Sequence, residues 1–207
     1  MNSSARLINI GGVGSCGLSE ILKKLNYPCH TFDFNNTYAS ASMNTLLNLS
    51  PLFTFDKKYY TSPPLFVNKA IRNNENTAWC IHYFKNSFES DAETVSQMYN
   101  RRLTRLSETL YSDENKLLIR LMHTIDSYHP EVNGNKENDC VEQWLDFYDV
   151  INSKYKNIKL ILIGQIDDET YYRNIKDGVL LVNYSKGDIN ENDRLFNFLK
   201  DVNYMDI

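Results

Sequence analysis

Short apolar runs alternate along the chain with segments whose apolar residues recur at helical spacing. The runs Leu7–Ile10, His30–Phe34, Trp79–Phe84, Leu117–Met122, Leu160–Ile163 and Val179–Tyr184 predict strands. The periodic segments Leu18–Asn26, Ala41–Asn48, Glu93–Tyr111, Val141–Lys154 and Asn192–Val202 predict helices. Within Glu93–Tyr111, the residues Val95, Met98, Leu103, Leu106 and Leu110 mark one stripe for burial and leave the opposite face polar. The alternation predicts the α/β class, a three-layer sandwich with a mostly parallel sheet flanked by helices. Two stretches, Ser50–Ile71 and Thr124–Asp139, fit neither period and read as long surface loops, which in a compact domain are often functional.

Composition narrows this picture in three ways. A length of 207 residues with 42% hydrophobic and 13% aromatic content is enough for one sizeable core, so a single α/β domain over residues 1–207 is expected. The net charge of −4 argues against a general electrostatic grip on nucleic acid or on an anionic membrane. No apolar run of about 18 residues occurs and the first ten residues lack the pattern of a signal peptide, so a soluble, cytoplasmic chain is expected. The four cysteines, Cys16, Cys29, Cys80 and Cys140, are widely spaced and suggest neither a disulfide framework nor a metal site.

The chemistry concentrates in INIGGVGSCGLSEIL, Ile8 to Leu22. Gly12, Gly14 and Gly17 spell G-x-G-x-x-G between an apolar run and a helical segment, and Asp33 closes the next run, about where a ribose-binding carboxylate belongs. A phosphate-binding P-loop is disfavoured, because Leu18 stands where the lysine must be. A third reading sets Cys16 at the start of the helix, where unpartnered N–H groups and the helix dipole favour a thiolate. A cysteine in a glycine turn is also commonly a small residue that packs. Of the four histidines, His82 sits near the end of its apolar run, where catalytic groups gather in open α/β sheets, although a histidine in a strand is more commonly a hydrogen-bonded core residue.

Three stretches together resemble one family, the papain-like cysteine peptidases of bacteria and viruses. INIGGVGSCGLSEILKKLNYPCHTFDFN resembles its opening strand, cysteine turn, helix and Phe-Asp-aromatic element. IHYF is similar to its His-Asp-Phe element, with Tyr83 in the aspartate's place, and Phe34 stands where the family tends to have tryptophan. YNRRLTRLSETLYSDENKLLIRL resembles its Arg-Arg-x-x-Arg helix, here Arg101, Arg102 and Arg105, followed by an apolar strand ending in an arginine, here Arg120. The strand–helix alternation nevertheless points to a three-layer sandwich and not to a papain fold.

The resemblance and the residues together imply a cysteine-dependent hydrolase or acyl transferase that needs no cofactor and no metal. Cys16 would be the nucleophile, His82 the base, and Asp33 the group that orients the imidazole. The backbone N–H groups of Gly17 and Leu18 would form an oxyanion hole. Arg101, Arg102 and Arg105 would bind substrate as a fork for a carboxylate or phosphate, so the expected partner is a protein or a small acidic substrate. Two other classes remain open: a nucleotide- or phosphosulfate-binding transferase of Rossmann-like or sulfotransferase-like type, and a catalytically inactive α/β binding module.

Overall fold

The structure is a computed structural model. It describes residues 5–12, 16–33, 35–61, 70–73, 78–80, 83–84, 86–122, 139–164, 170–183 and 191–207. In chain order the elements are β1 (Arg6–Asn9), α1 (Cys16–Lys24), β2 (Asn35–Thr37), α2 (Ala39–Asn48), β3 (Tyr60–Thr61), β4 (Ala70–Arg72) and β5 (Ala78–Cys80). They continue with α3 (Phe88–Tyr111), β6 (Lys116–Leu121), α4 (Val141–Lys154), β7 (Ile158–Gly164), β8 (Tyr171–Lys176), β9 (Val179–Asn183) and α5 (Glu191–Asp201).

The main sheet has five strands in the order β1-β6-β7-β9-β8. β1, β6, β7 and β9 run parallel, and only β8 pairs antiparallel, against β9. The parallel strands are buried on both faces, which is why they read as nearly continuous apolar runs. Alternate residues go to opposite sides. Leu117, Ile119, Ile161, Ile163, Leu180 and Val182 meet Leu18, Ile21 and Leu22 of α1 and Leu195 and Leu199 of α5 in one core cluster. Leu118, Leu160, Leu162 and Leu181 join α2, α3 and α4 in the other. The α/β three-layer sandwich with a mostly parallel sheet is thus the architecture of the protein.

Three features depart from the sequence pattern. A second sheet has four short antiparallel strands in the order β2-β5-β4-β3: β5 begins the expected strand at Trp79–Phe84, whereas β3 and most of β4 lie in the Ser50–Ile71 stretch that read as loop. The expected strand at His30–Phe34 contains a turn instead: Asp33 N–H donates to the His30 carbonyl (3.2 Å), and the His30 N–H donates to the Asp33 carboxylate (2.6 Å). α3 begins five residues before the expected start at Glu93, at Phe88, because Ser87 and Ser90 cap it reciprocally. The Ser87 hydroxyl accepts from the Ser90 N–H (3.3 Å), and the Ser90 hydroxyl accepts from the Ser87 N–H (3.2 Å). Much of the expected Thr124–Asp139 loop lies outside the described residues. Among the described residues no helix is long and apolar enough to cross a membrane, and no disulfide joins any two of the four cysteines.

Candidate functional site

The candidate site is the carboxyl end of β1 and the turn into α1, the edge of an open α/β sheet at which ligands and catalytic groups collect. Gly11 and Gly12 open that turn at φ of +88° and +132°. At Gly12 a side chain is excluded twice, by the backbone dihedral and by the Leu121 carbonyl oxygen, which would lie 2.2 Å from a Cβ. Leu121 N–H donates to the Gly11 carbonyl (3.3 Å), and the Gly12 N–H donates to the Thr37 hydroxyl (3.1 Å). The leading glycines therefore serve close packing of the turn against β6 and β2. Gly14 lies outside the described residues.

Under the turn sits a buried polar network that the sequence pattern does not reveal. The Asn9 side-chain amide donates to both the Ser19 hydroxyl (3.0 Å) and the Asp33 carboxylate (3.1 Å), and its oxygen accepts from the Gly11 N–H (2.8 Å). Asp33 is only 3% exposed. Burial pushes its carboxyl pKa up, and the bonds from the His30 N–H, Asn9 and Ser19 pull the other way. With those bonds in place, Asp33 ties the first turn of α1 to the end of β1. A buried carboxylate held in this way is not presented to a ribose, so the glycine pattern loses the acidic partner that a dinucleotide site requires.

Cys16 is the first residue of α1 and is half-buried. The first four N–H groups of any helix lack intrahelical acceptors, and those of Gly17 and Leu18, the two residues after Cys16, are among them. The Leu18 side chain is buried in the core below. The helix start alone does not make Cys16 acidic: burial raises its thiol pKa above the ordinary value, a bond from its own backbone lowers it, and Glu20 raises it further. His82 lies outside the described residues.

The three arginines of α3 do not act as one fork. Arg101 is exposed, Arg102 is 8% exposed, and Arg105 lies between these extremes. Arg102 donates to the Tyr83 hydroxyl (2.9 Å), and its guanidinium lies 5.0 Å from the Tyr83 ring centre and 5.8 Å from that of Tyr99. Arg105 donates to the Cys29 carbonyl (2.5 Å). The helical spacing carries Arg102 and Arg105 to the turn after α1 and leaves Arg101 in solvent.

Arg120, singled out in the sequence only as the arginine that ends its strand, has no exposed surface. It lies on the strand face shared with Leu118 and Leu162, and its guanidinium pairs with Asp139 (2.6 Å). It also donates to the carbonyls of Ile10 (3.4 Å) and Thr37 (3.1 Å) and to the Ser42 hydroxyl (3.1 Å). The Trp144 indole donates to the same aspartate, and the guanidinium lies 5.1 Å from the indole ring centre. One cation thus joins the glycine turn, the start of α2 and the start of α4. A charge inside the run LLIRL is the sequence signal for it.

His30 gives a pH prediction. Burial, together with Arg105, Arg6 and Arg102, lowers its pKa from 6.5 to about 4. A group whose folded pKa is depressed in this sense binds fewer protons when folded, so stability should be full above about pH 6.5 and fall as the pH drops toward 4. The slope is at most about 1.4 kcal/mol per pH unit for one proton. Urea unfolding across this range should show it, and His30→Phe should flatten it; an equal slope in the variant would assign the acid sensitivity to other groups.

Comparison of the chain with protein-family models, curated proteins and solved structures returns no match.

Proposed function

We propose that the protein is a cysteine-dependent hydrolase or acyl transferase in which Cys16 attacks an amide, ester or isopeptide carbonyl. The reading is supported chiefly by the placement of Cys16 as the first residue of α1, four residues after the packed Gly12 at the carboxyl end of β1. The thiolate adds to the carbonyl carbon, and the resulting oxyanion accepts from the N–H groups of Gly17 and Leu18. His82 takes the thiol proton and returns it to the leaving group. Water, or an acceptor nucleophile, then releases the acyl group from Cys16. Asp33 supports this site from below through Asn9 and Ser19. The resemblance to papain-like cysteine peptidases agrees with this assignment of roles.

The upward pKa shift of Cys16 is the observation that favours the second reading, an inactive binding module built on the same scaffold. Iodoacetamide labelling with peptide mapping separates the two. With an imidazole base, Cys16 should be labelled at about pH 6.5 faster than the exposed Cys140, and His82→Asn should remove that advantage. If Cys16 reacts only at alkaline pH and always behind Cys140, the nucleophile assignment fails and the binding module stands.

A further inference from the structure

The first turn of α1 needs more than apolar packing to hold its place. Leu18, Ile21 and Leu22 press the helix onto the sheet. Burial of this kind is non-directional: it fixes which face points inward and leaves the helix free to slide or turn along the strands. Hydrogen bonds have direction and remove that freedom. A tie of this second kind starts at Asn9.

Asn9 is the last residue of β1 and has no exposed surface. Its two amide hydrogens go to the Ser19 hydroxyl (3.0 Å) and the Asp33 carboxylate (3.1 Å), and its oxygen accepts from the Gly11 N–H (2.8 Å). Ser19, 1% exposed, is the fourth residue of α1 and stands close to one turn along the helix from Cys16. Asp33 is in turn fixed by the His30 N–H (2.6 Å). One side chain thus joins the end of β1, the glycine turn, the first turn of α1 and the chain that leads into β2, without passing through the backbone between Gly12 and Cys16. An amide of this length meets all three demands. Aspartate has no hydrogen to give when ionised and would put a second carboxylate 3.1 Å from Asp33. Leucine offers neither donor nor acceptor, and glutamine carries its amide one methylene too far.

We propose that Asn9 is the positioning residue of the Cys16 site, setting where the Cys16 thiol and the Gly17 and Leu18 N–H groups stand relative to the end of β1. Asn9 is enclosed and acts only through Ser19, Gly11 and Asp33. The role rests on the reading of this helix start as the site, and it gives the thiol a fixed environment whether Cys16 is a nucleophile or part of an inactive binding module.

The test is the pH dependence of iodoacetamide alkylation of Cys16 in the full chain, with the exposed Cys140 as internal reference. In the wild-type protein the two midpoints should differ, a lower one at Cys16 marking the nucleophile and a higher one the binding module. In Asn9→Ala and Ser19→Ala the Cys16 midpoint should move about half a pH unit or more toward that of Cys140, the loss of a buried hydrogen bond that holds the helix start. Asn9→Asp should move it as well. Asn9→Asp combined with Asp33→Asn should restore it, because the exchange leaves one amide facing one carboxylate and keeps acceptors for the Gly11 and His30 N–H groups. Tyr155→Phe, which removes a buried bond to the Leu46 carbonyl between the end of α4 and α2, should cost stability without moving the midpoint. Thermal melting shows which variants are folded; should Asn9→Ala not fold, Ser19→Ala and the exchanged pair decide. Coincident midpoints in the wild-type protein, folded single variants with the wild-type midpoint, or an exchanged pair that behaves like Asn9→Asp alone overturn the proposal.

Discussion

Asp139→Ala should destabilise the fold by about 3–5 kcal/mol, the cost of leaving a buried charge without its counterion. For a chain of this size that corresponds to a fall in melting temperature of roughly 6–20 °C. The cause is the enclosure of Arg120, whose guanidinium and the Asp139 carboxylate are 0% and 1% exposed. After removal of Asp139 the guanidinium keeps, among the described residues, the Ile10 and Thr37 carbonyls and the Thr37 and Ser42 hydroxyls, which are neutral acceptors. Trp144 also loses the acceptor of its indole N–H. Breaking such a pair is far costlier than replacing it, so Arg120→Met combined with Asp139→Leu should recover much of the loss. Denaturant unfolding followed by circular dichroism measures both. A single variant within about 1 kcal/mol of wild type would show that water reaches the pair, since exposed ion pairs are worth no more than that.

The same residues show how far the sequence speaks for itself. β6, β7 and β9 are legible because a strand buried on both faces must be apolar throughout, and α4 is legible to the residue because Trp144, Phe147, Tyr148 and Ile151 recur at helical spacing. The second sheet is legible only at β5, which the apolar run Trp79–Phe84 marks; β2, β3 and β4, of two or three residues, are too short to display a period of two. β8 escapes for another reason, being an edge strand with a largely exposed face, yet its tight Asp177-Gly178 turn into β9 is a hairpin signal that finds it. At the site, the helix start at Cys16 follows from the glycine turn and the periodic run after it. The roles of Asn9 and Ser19 do not, because a small polar residue beside a glycine turn gives no sign of whether it will be buried. His30 read as the first residue of a strand, whereas the Asp33 carboxylate bonds the His30 backbone and turns the chain there.

Gly12→Ala tests the turn on which the Cys16 reading depends, and it should cost about 3 kcal/mol or more, a backbone effect at the upper end of single substitutions. Part of the cost is conformational, since a φ of +132° is one that an L side chain rarely adopts. The larger part is spatial. The new Cβ would stand 2.2 Å from the Leu121 carbonyl oxygen and 2.9 Å from the Leu121 Cβ. Neither is the free end of a flexible side chain, so relief requires β6 and the turn to separate. Separation stretches the Leu121 N–H bond to the Gly11 carbonyl and the Gly12 N–H bond to the Thr37 hydroxyl, and it draws the Ile10 carbonyl from Arg120. Gly178→Ala is the useful contrast: its Cβ would meet the Tyr148 hydroxyl, the far end of a side chain, and so the local clash can be relieved without moving a strand. Melting temperatures of the two variants, read beside the rate of Cys16 alkylation, separate the effects. Gly12→Ala should melt earlier than Gly178→Ala and alter Cys16 reactivity, whereas a Gly12→Ala protein with wild-type melting and wild-type alkylation would refute the packed turn and remove the support it lends to Cys16.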